Sequence, residues 1–473
     1  MATDHILTTS EVNLLRRLER LPMTWVQGRL LVMGGLGYTF DAANNASLGF
    51  ILPPVSRAFN LSNELTGLMA SSVMIGYLFG AFFAGTLGDL IGRKRVLMSA
   101  LGIYCAATLF AGFAPNWQVL FCGRTIAGFG TGADAAIVAA YLSEFIQRRY
   151  RGRYLGSLAG FFSFGFVIAA LLGYLIVPAY ASGWRIIQIL TAVPPLALLW
   201  WRRALPESPR WLIQQGRSDE AARVVALLED GVAQRVKTPL PALETVEMPA
   251  VSVRRGGSVA QNLASLWGRG LRRNTTMLWA LWFSITFSFY GFFNWMPSLM
   301  VKQGLTITKS FGYAIIIYVA QIPGYYSAAF LNEKLDRKWT IILYMLGGGA
   351  AAFGMAHAGR DPVLIIFSGF WLSFFMNGTY AGMYAYTPEV YPTAFRATGM
   401  GVASAFGRVG GILAPLIIGL TFARIEFGGV FLMITAVLLA GALAVAAMGI
   451  QTTGKTLEEI AAGETGRPAR VVR

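Results

Sequence analysis

Twelve stretches of the chain stay apolar over the length needed to cross a bilayer, about 20 residues at 1.5 Å rise each. They run near 29–52, 66–87, 96–113, 118–141, 154–177 and 184–201. After a long polar interval the rest follow near 275–300, 309–332, 339–356, 362–386, 396–420 and 427–449. This pattern predicts an all-α membrane protein of twelve transmembrane helices. It sets a six-helix bundle over 29–201, a connection with short helices over 202–273 and a second six-helix bundle over 275–449. Polar ends cover 1–28 and 450–473. In the first, Val12, Leu14, Leu15, Leu18 and Leu21 alternate with Arg16, Arg17, Glu19 and Arg20, which predicts an amphipathic helix on the membrane surface. Within the connection, Ser208 is placed to cap a helix starting at Pro209, Ser218–Asp219–Glu220 begin another, and 231–257 reads as loose chain.

The two bundles repeat one design. Gly85–Arg95, between the second and third apolar runs, returns as Ala329–Lys338 between the eighth and ninth. Leu87 meets Leu331, Asp89 meets Glu333, Arg93 meets Arg337 and Lys94 meets Lys338, all 244 residues apart. Tyr141-Leu142-Ser143-Glu144 with Arg151-Gly152 returns 245 residues later as Tyr386-Thr387-Pro388-Glu389 with Arg396-Ala397. Two matches at nearly one offset mean parallel repeats of six helices, an arrangement known among secondary transporters.

Charge assigns the sides. Arg93–Arg95, the basic run 148–153, the connection, Lys334–Lys338, Arg396 and the tail fall on one side. The opposite turns carry only Arg57, Lys302, Lys309, Arg360 and Arg424. The positive-inside rule puts the richer side and both termini in the cytoplasm of a cell membrane, a bacterial inner membrane by preference. Hydrophobic residues are 55% of the chain and charged ones 13%, against about 25% charged in soluble domains. The net charge of +16 is therefore topological and not the footprint of a nucleic-acid partner. Cys105 and Cys122 lie inside apolar runs and frame no disulfide or zinc site. No cleavable signal peptide precedes Arg29. No phosphate-cradling loop, catalytic dyad or metal cluster is evident, which excludes an enzyme. The expected partners are a small-molecule substrate and the lipid bilayer, with the chain acting as a monomer.

Gly85-x-Leu87-x-Asp89-x-x-Gly92-Arg93-Lys94 resembles the loop 2–3 signature of the major facilitator superfamily, and Arg124-x-x-x-Gly128-x-Gly130 resembles its fourth-helix motif. The resemblance covers essentially the whole chain. Pro206-Glu207-Ser208-Pro209-Arg210-Trp211-Leu212 and Pro388-Glu389-Val390-Tyr391-Pro392, followed by Arg396-x-Thr398-Gly399, resemble one branch of it. That branch holds sugar porters, organic anion and cation transporters, synaptic-vesicle-protein relatives and bacterial proton symporters of the niacin and aromatic-acid type. The resemblance implies alternating access between two rocking halves. The paired glutamines of the sugar porters' seventh helix are missing: that helix reads Phe287-Ser288-Phe289-Tyr290-Gly291-Phe292-Phe293-Asn294-Trp295. The first external loop, about 53–65, is short where animal organic-ion transporters carry a large one.

Four charges lie well inside spans: Asp41, Arg124, Asp134 and Arg408. Each costs about 2.5–3.5 kcal/mol on an insertion scale and needs a partner, water or a job. Asp41 lies roughly 18 Å in from the cytoplasmic end of the first span and Arg124 roughly 9 Å below the outer end of the fourth. These depths make an Asp41–Arg124 pair across the bundle feasible, read either as a proton-coupling pair or as a static lock between the two helices. Proton-coupled members of the branch have an equivalent acid–arginine pair. Asp134 lies about 15 Å along the helix from Arg124 and about 80° around it. It reads as a second protonation site, a substrate ligand, or one half of a local bond to a neighbouring helix end. Arg408 has small residues on either side and can present a guanidinium, which binds carboxylates bidentately. Organic anion transporters resemble the sequence here with an arginine at the matching place. The alternative is a structural pair with Asp41 or Asp134.

The cavity lining is expected from Asn44, Asn45, Tyr290, Phe293, Asn294, Tyr318, Gln321, Asn377, Tyr380 and Tyr384, aromatic walls with a few polar groups. Asp89, Gly92, Arg93, Arg95, Glu144, Arg151, Glu333, Arg337, Glu389 and Arg396 are the gating candidates, with Glu144 matched to Arg151 and Glu389 to Arg396. Together these predict proton-coupled uptake of a small organic anion, an aromatic or heterocyclic carboxylate, with the proton as the only accessory species. A sugar or organic-cation carrier, or a non-transporting receptor of the same fold, is the alternative.

Overall fold

Residues 8–236, 240, 241, 243, 264, 266–268, 271–391 and 396–452 are described by a computed structural model of the chain; the side chains of 89, 148, 149, 151–153, 396 and 397 lie outside the described set. So do most of the 231–257 stretch and the end of the tail. Among the described residues every element is helical. The first bundle holds α2 (Trp25–Ala58), α3 (Asn63–Ile91), α4 (Arg93–Gly112), α5 (Trp117–Ser143), α6 (Arg148–Ile176) and α7 (Gly183–Arg202). Before it lies α1 (Thr9–Glu19), and α8 (Pro209–Gln214) and α9 (Ser218–Ala233) follow it. The second bundle holds α10 (Arg272–Lys302), α11 (Ile307–Val319), α12 (Gln321–Lys334), α13 (Arg337–Ala356), α14 (Pro362–Val390) and α15 (Arg396–Met448).

Polar residues in the turns start many of these helices by accepting from otherwise unpartnered N–H groups. Thr24 and Gln27 form a capping box on α2, Ser62 caps α3, Asn116 caps α5, Thr306 caps α11 and Asp361 caps α14. Ser208 caps α8 with Pro209 in the first turn, as its sequence predicts. The eighth span is divided at Ala320 into α11 and α12, because Pro323 has no N–H to give the carbonyl four residues back. The last two spans are continuous in α15 and fold back at Glu426, whose φ of 53° interrupts the helix. Ten helical stretches are long and apolar enough to cross a membrane. One of them is α15, which folds back on itself. The long helix α2, polar at Asp41, Asn44 and Asn45, is the further span, and the total is twelve. Phe82, Phe113, Trp200, Val363, Phe367 and Leu443 are exposed on the outside of the bundles, a surface suited to lipid.

α1 departs from expectation. Its apolar face is covered by protein instead of being left for lipid. Leu14 and Leu15 pack with Trp211, Leu212, Ile213, Ala221 and Val225, and Leu18 and Leu21 pack into the cytoplasmic end of the first bundle beside Leu30, Val138 and Leu142. The cause lies in α9, where Ala221, Val225, Leu228 and Val232 recur at helical spacing and offer a matching stripe. Glu229 accepts from Arg17 and Arg20, Arg210 pairs with Glu19 at 2.9 Å, and Ser218 donates to Glu11 at 2.7 Å.

The bundles meet on the side of the 59–62 and 303–306 turns. Gly67 on α3 and Gly419 on α15 let the two helices touch: a Cβ at Gly67 would stand 2.6 Å from the Pro415 carbonyl oxygen, and one at Gly419 2.6 Å from that of Asn63. Asn294 Nδ2 donates to the Ala70 carbonyl at 3.2 Å, Ser71 Oγ to that of Ile412 at 2.8 Å, and Lys302 bonds Asn63. Phe50, Phe166, Phe289, Phe293, Phe311 and Tyr318 close ring on ring between the halves, with centroids 4.4–5.9 Å apart. Away from this seal, Tyr384, in the last third of α14, is 40% exposed.

Candidate functional site

Three groups of polar residues sit within the spans, and each draws on more than one helix. The first surrounds Arg124 of α5, which is fully buried. Its guanidinium donates to the Asn44 side chain on α2, to the Asn44 carbonyl at 2.7 Å, and to Gln188 Oε1 on α7 at 2.9 Å. Asn44 Nδ2 in turn donates to Thr108 on α4 at 3.3 Å. All of these acceptors are neutral. The expected Asp41–Arg124 pair does not form: Asn44, three residues further along α2, takes that place. Depth alone could not resolve a difference of one helical turn, about 5.4 Å.

The second group holds the aspartates. Arg202 Nη1 donates to Asp134 Oδ1 at 2.7 Å and Nη2 to Oδ2 at 3.4 Å, and both side chains are buried. Asp41 is 3% exposed, and among the described residues neither of its oxygens has a hydrogen-bond partner. It faces the Asp134 carboxyl, with Arg202 as its cationic neighbour. Sequence reasoning missed Arg202 by counting it among the loop cations. A signal was present: Gln188, Thr191, Pro195, Leu198 and Arg202 recur at spacings of three and four and form the buried face of α7. Beyond Arg202 the chain runs straight into the turn between α3 and α4. The Arg203 carbonyl accepts from Lys94 Nζ at 2.9 Å, and Glu207 accepts from the Lys94 N–H at 3.0 Å.

The third group surrounds Arg408 of α15, which is partly buried at midspan. Its guanidinium carbon lies 4.2 Å from the centroid of the Tyr77 ring on α3, and Nη2 is 3.4 Å from the Tyr77 hydroxyl. Tyr290 of α10 and Tyr380 and Tyr384 of α14 complete the surround. Asn45 lies against Tyr290, and Tyr380 donates to Thr286 at 3.2 Å. Tyr384 packs edge-on against Trp282 at 5.3 Å. Among the described residues no carboxylate pairs with Arg408, so the structural pairing with Asp41 or Asp134 is not made. Tyr77 was missed because the charges of α3, Glu64 and Asp89, lie near its ends and none marks its middle.

The remaining lining candidates are dispersed. Phe293 and Tyr318 belong to the aromatic seal, where Tyr318 donates to the Phe293 carbonyl at 2.7 Å, and Asn294 bonds across the halves. Asn377 donates to the Ser373 carbonyl at 3.1 Å. Gln321, at the break in the eighth span, is fully buried, and neither atom of its amide has a partner among the described residues. Two surface grooves, of about 570 Å³ beside Arg57, Pro178 and Gly304 and about 310 Å³ beside Val363 and Phe367, include none of the midspan groups.

The gating candidates pair differently from expectation. Arg93 bonds Glu144 at 2.5 Å and Arg337 bonds Glu389 at 3.1 Å, the same pair in each half. The expected matches to Arg151 and Arg396 fall on side chains outside the described set, as does Asp89. Arg95 and Glu333 are exposed. Ser208 donates to Glu144. These bonds tie helix ends within each half.

The chain matches the sugar (and other) transporter family over residues 32–463. It is 38% identical over 452 residues to the niacin transporter NiaP of Acinetobacter baylyi, covering 95% of this chain and 100% of that one. It is 28% identical over 478 residues to the organic cation/carnitine transporter 7 of Arabidopsis thaliana, covering 91% of this chain and 92% of that one. Among solved structures, the xylose transporter XylE of E. coli in a partially occluded inward-open conformation aligns with a TM-score of 0.75 at 17% identity, over 92% of this chain and 100% of that one. That last likeness is one of fold.

Proposed function

This chain is a multi-pass transporter belonging to the sugar (and other) transporter family of the major facilitator superfamily, and from that premise we propose that it takes up a small aromatic or heterocyclic carboxylate together with a proton. The observation that carries this reading is Arg408, a midspan guanidinium walled by tyrosines and without a carboxylate partner among the described residues. A cation at that depth calls for an anion, and a guanidinium binds a carboxylate through two parallel charge-assisted bonds. The rings of Tyr77, Tyr290, Tyr380 and Tyr384 suit a flat ligand, and their hydroxyls supply further donors. The name of the Acinetobacter relative, a niacin transporter, agrees with a ligand of this size and charge. Asn45, which lies against Tyr290, is the polar group placed to recognise the rest of the ring.

The positive-inside rule makes the sealed side the exterior, so the conformation with Tyr384 exposed is open to the cytoplasm. Asp41 carries the proton. Its carboxyl group and Tyr77, which contacts Arg408, both belong to the first bundle, so a movement of that bundle acts on proton and substrate together.

The test is equilibrium binding of nicotinate and of its neutral carboxamide to purified protein. Arg408→Ala is expected to weaken nicotinate roughly 10- to 100-fold, the worth of a hydrogen bond to a charged group at about 1.5–3 kcal/mol. Arg408→Lys restores part of it, and the carboxamide changes little. Equal affinity of wild type and Arg408→Ala for every carboxylate tried, or selective binding of a sugar or a quaternary amine, would overturn the reading.

A further inference from the structure

Asp41, Asp134 and Arg202 come from three helices and are 3%, 0% and 1% exposed. With both carboxyls ionised the cluster carries one net negative charge, and with one proton it is neutral. An enclosed, uncompensated charge is strongly disfavoured in a low-dielectric interior. The geometry is that of a shared counter-ion. Arg202 holds Asp134 by a short bond from Nη1 and a long one, 3.4 Å, from Nη2. That same Nη2 lies against Gly37 of α2, one turn before Asp41, where any Cβ would overlap it. The guanidinium is thus in contact with the helix that carries the second carboxyl group.

We propose that Asp41 and Asp134 share a single proton against Arg202, and that the site is closed off from water only when it carries that proton. This rests on the proton-coupled reading above and goes beyond it. The coupling unit becomes two aspartates and a positioning arginine, in place of one aspartate and Arg124. The other ionisable groups facing Asp41 are Tyr38 on α2, Tyr77 on α3, and Tyr104 and Cys105 on α4. All four are neutral at physiological pH. Arg124 on α5 is engaged by Asn44 and Gln188, and α6 brings Phe161, which is not ionisable.

Charge balance predicts an alternation. Asp134→Asn leaves Asp41 and Arg202 as a neutral ion pair that needs no proton. Asp41→Asn does the same for Asp134 and Arg202. The double variant Asp134→Asn with Arg202→Gln leaves Asp41 alone, and the proton returns. Infrared spectra of full-length protein at neutral pH, in vesicles of ether-linked phosphatidylethanolamine and phosphatidylglycerol that lack ester carbonyls, read this through the carbonyl stretch of a protonated buried carboxyl group. The band is expected in wild type, lost in either single variant and regained in the double. Either single variant carries the test if the other does not fold. A wild type without the band, or a band that survives both single variants, overturns the proposal. Nicotinate uptake driven by a pH gradient in the same vesicles separates the two readings. Gradient-driven uptake with the band unchanged in the single variants sinks the shared proton alone, whereas uptake indifferent to the gradient sinks the coupled reading itself.

Discussion

Gly92 and Asp336 stand at the same place in the two halves with nearly the same backbone, φ 104° and ψ 146° against φ 76° and ψ 145°. Each turns the chain between two spans, and each leaves the following helix to be capped. Asp336 caps its own helix, accepting from the Lys338 N–H at 2.8 Å and from that of Thr452 at 3.0 Å. Gly92 has no side chain, and Glu207, from the segment after α7, reaches in to accept from the Lys94 N–H instead. One half builds its turn from a single residue, while the other recruits the connection between the halves.

Gly92→Ala is expected to destabilise the protein by about 1–3 kcal/mol, the cost of a non-glycine residue in this backbone region, since its Cβ would also stand 2.6 Å from Glu207 Oε2. Asp336→Ala loses the cap and keeps the strained backbone, whereas Asp336→Gly loses only the cap. Thermal unfolding in detergent should rank Asp336→Gly above Asp336→Ala. The reverse order would show that strain at this turn is negligible.

Arg124 should depend on Asn44 and Gln188 jointly, because a single nitrogen, Nη1, donates to both. Asn44→Leu and Gln188→Leu each remove an acceptor from a buried cation, a loss of about 1.5–3 kcal/mol. Sites that share a partner are not additive. The double variant should therefore differ from the sum of the singles in chemical denaturation, and strict additivity would count against a shared network.

The docking of α1 carries a pH signature. Burial works to raise the Glu229 carboxyl, but hydrogen bonds from Arg17 and Arg20 outweigh it and hold it below its ordinary value of 4.5. A carboxyl depressed in this way contributes its stability above the unfolded value and loses it as pH falls through the folded one. Protection of the α1 amides, their exchange measured against the pH-dependent intrinsic rate, should thus stay constant from neutral pH down to about 5 and fall only in more acidic solution. Glu229→Gln should lower that protection at neutral pH, consistent with a loss of about 1 kcal/mol for partly exposed pairs, and flatten its fall in acid. Protection that already falls between pH 7 and 6 would point to another group.

Gly67→Leu should hold the halves apart on the side of the 59–62 turn, since its side chain has nowhere to go but into the backbone of α15. A cysteine at Ser71, fully buried against Ile412, reports this once Cys105 and Cys122 are replaced by serine. A membrane-impermeant thiol reagent should label it in the Gly67→Leu background several-fold faster than without that change. Equal labelling would falsify the small-residue contact as the seal.

The sequence by itself determined the architecture. Twelve apolar runs, a positive bias on alternate turns and a repeat at 244–245 residues are one-dimensional signals. Each follows from what lipid excludes, so they survive without knowledge of any contact. It also identified the four charges that a membrane does not tolerate without cause: Asp41, Arg124, Asp134 and Arg408. Tertiary structure alone decided their partners. Arg124 turns to Asn44 and Gln188, Asp134 to Arg202, Arg408 to Tyr77, and Arg93 to Glu144. Which side chains meet depends on axial register and helix rotation. A shift of one residue turns a side chain 100° around the axis, finer than a hydropathy boundary can be placed. α1 makes the same point at the surface: its stripe of leucines fits lipid or protein equally well, and only the stripe on α9 settles the choice.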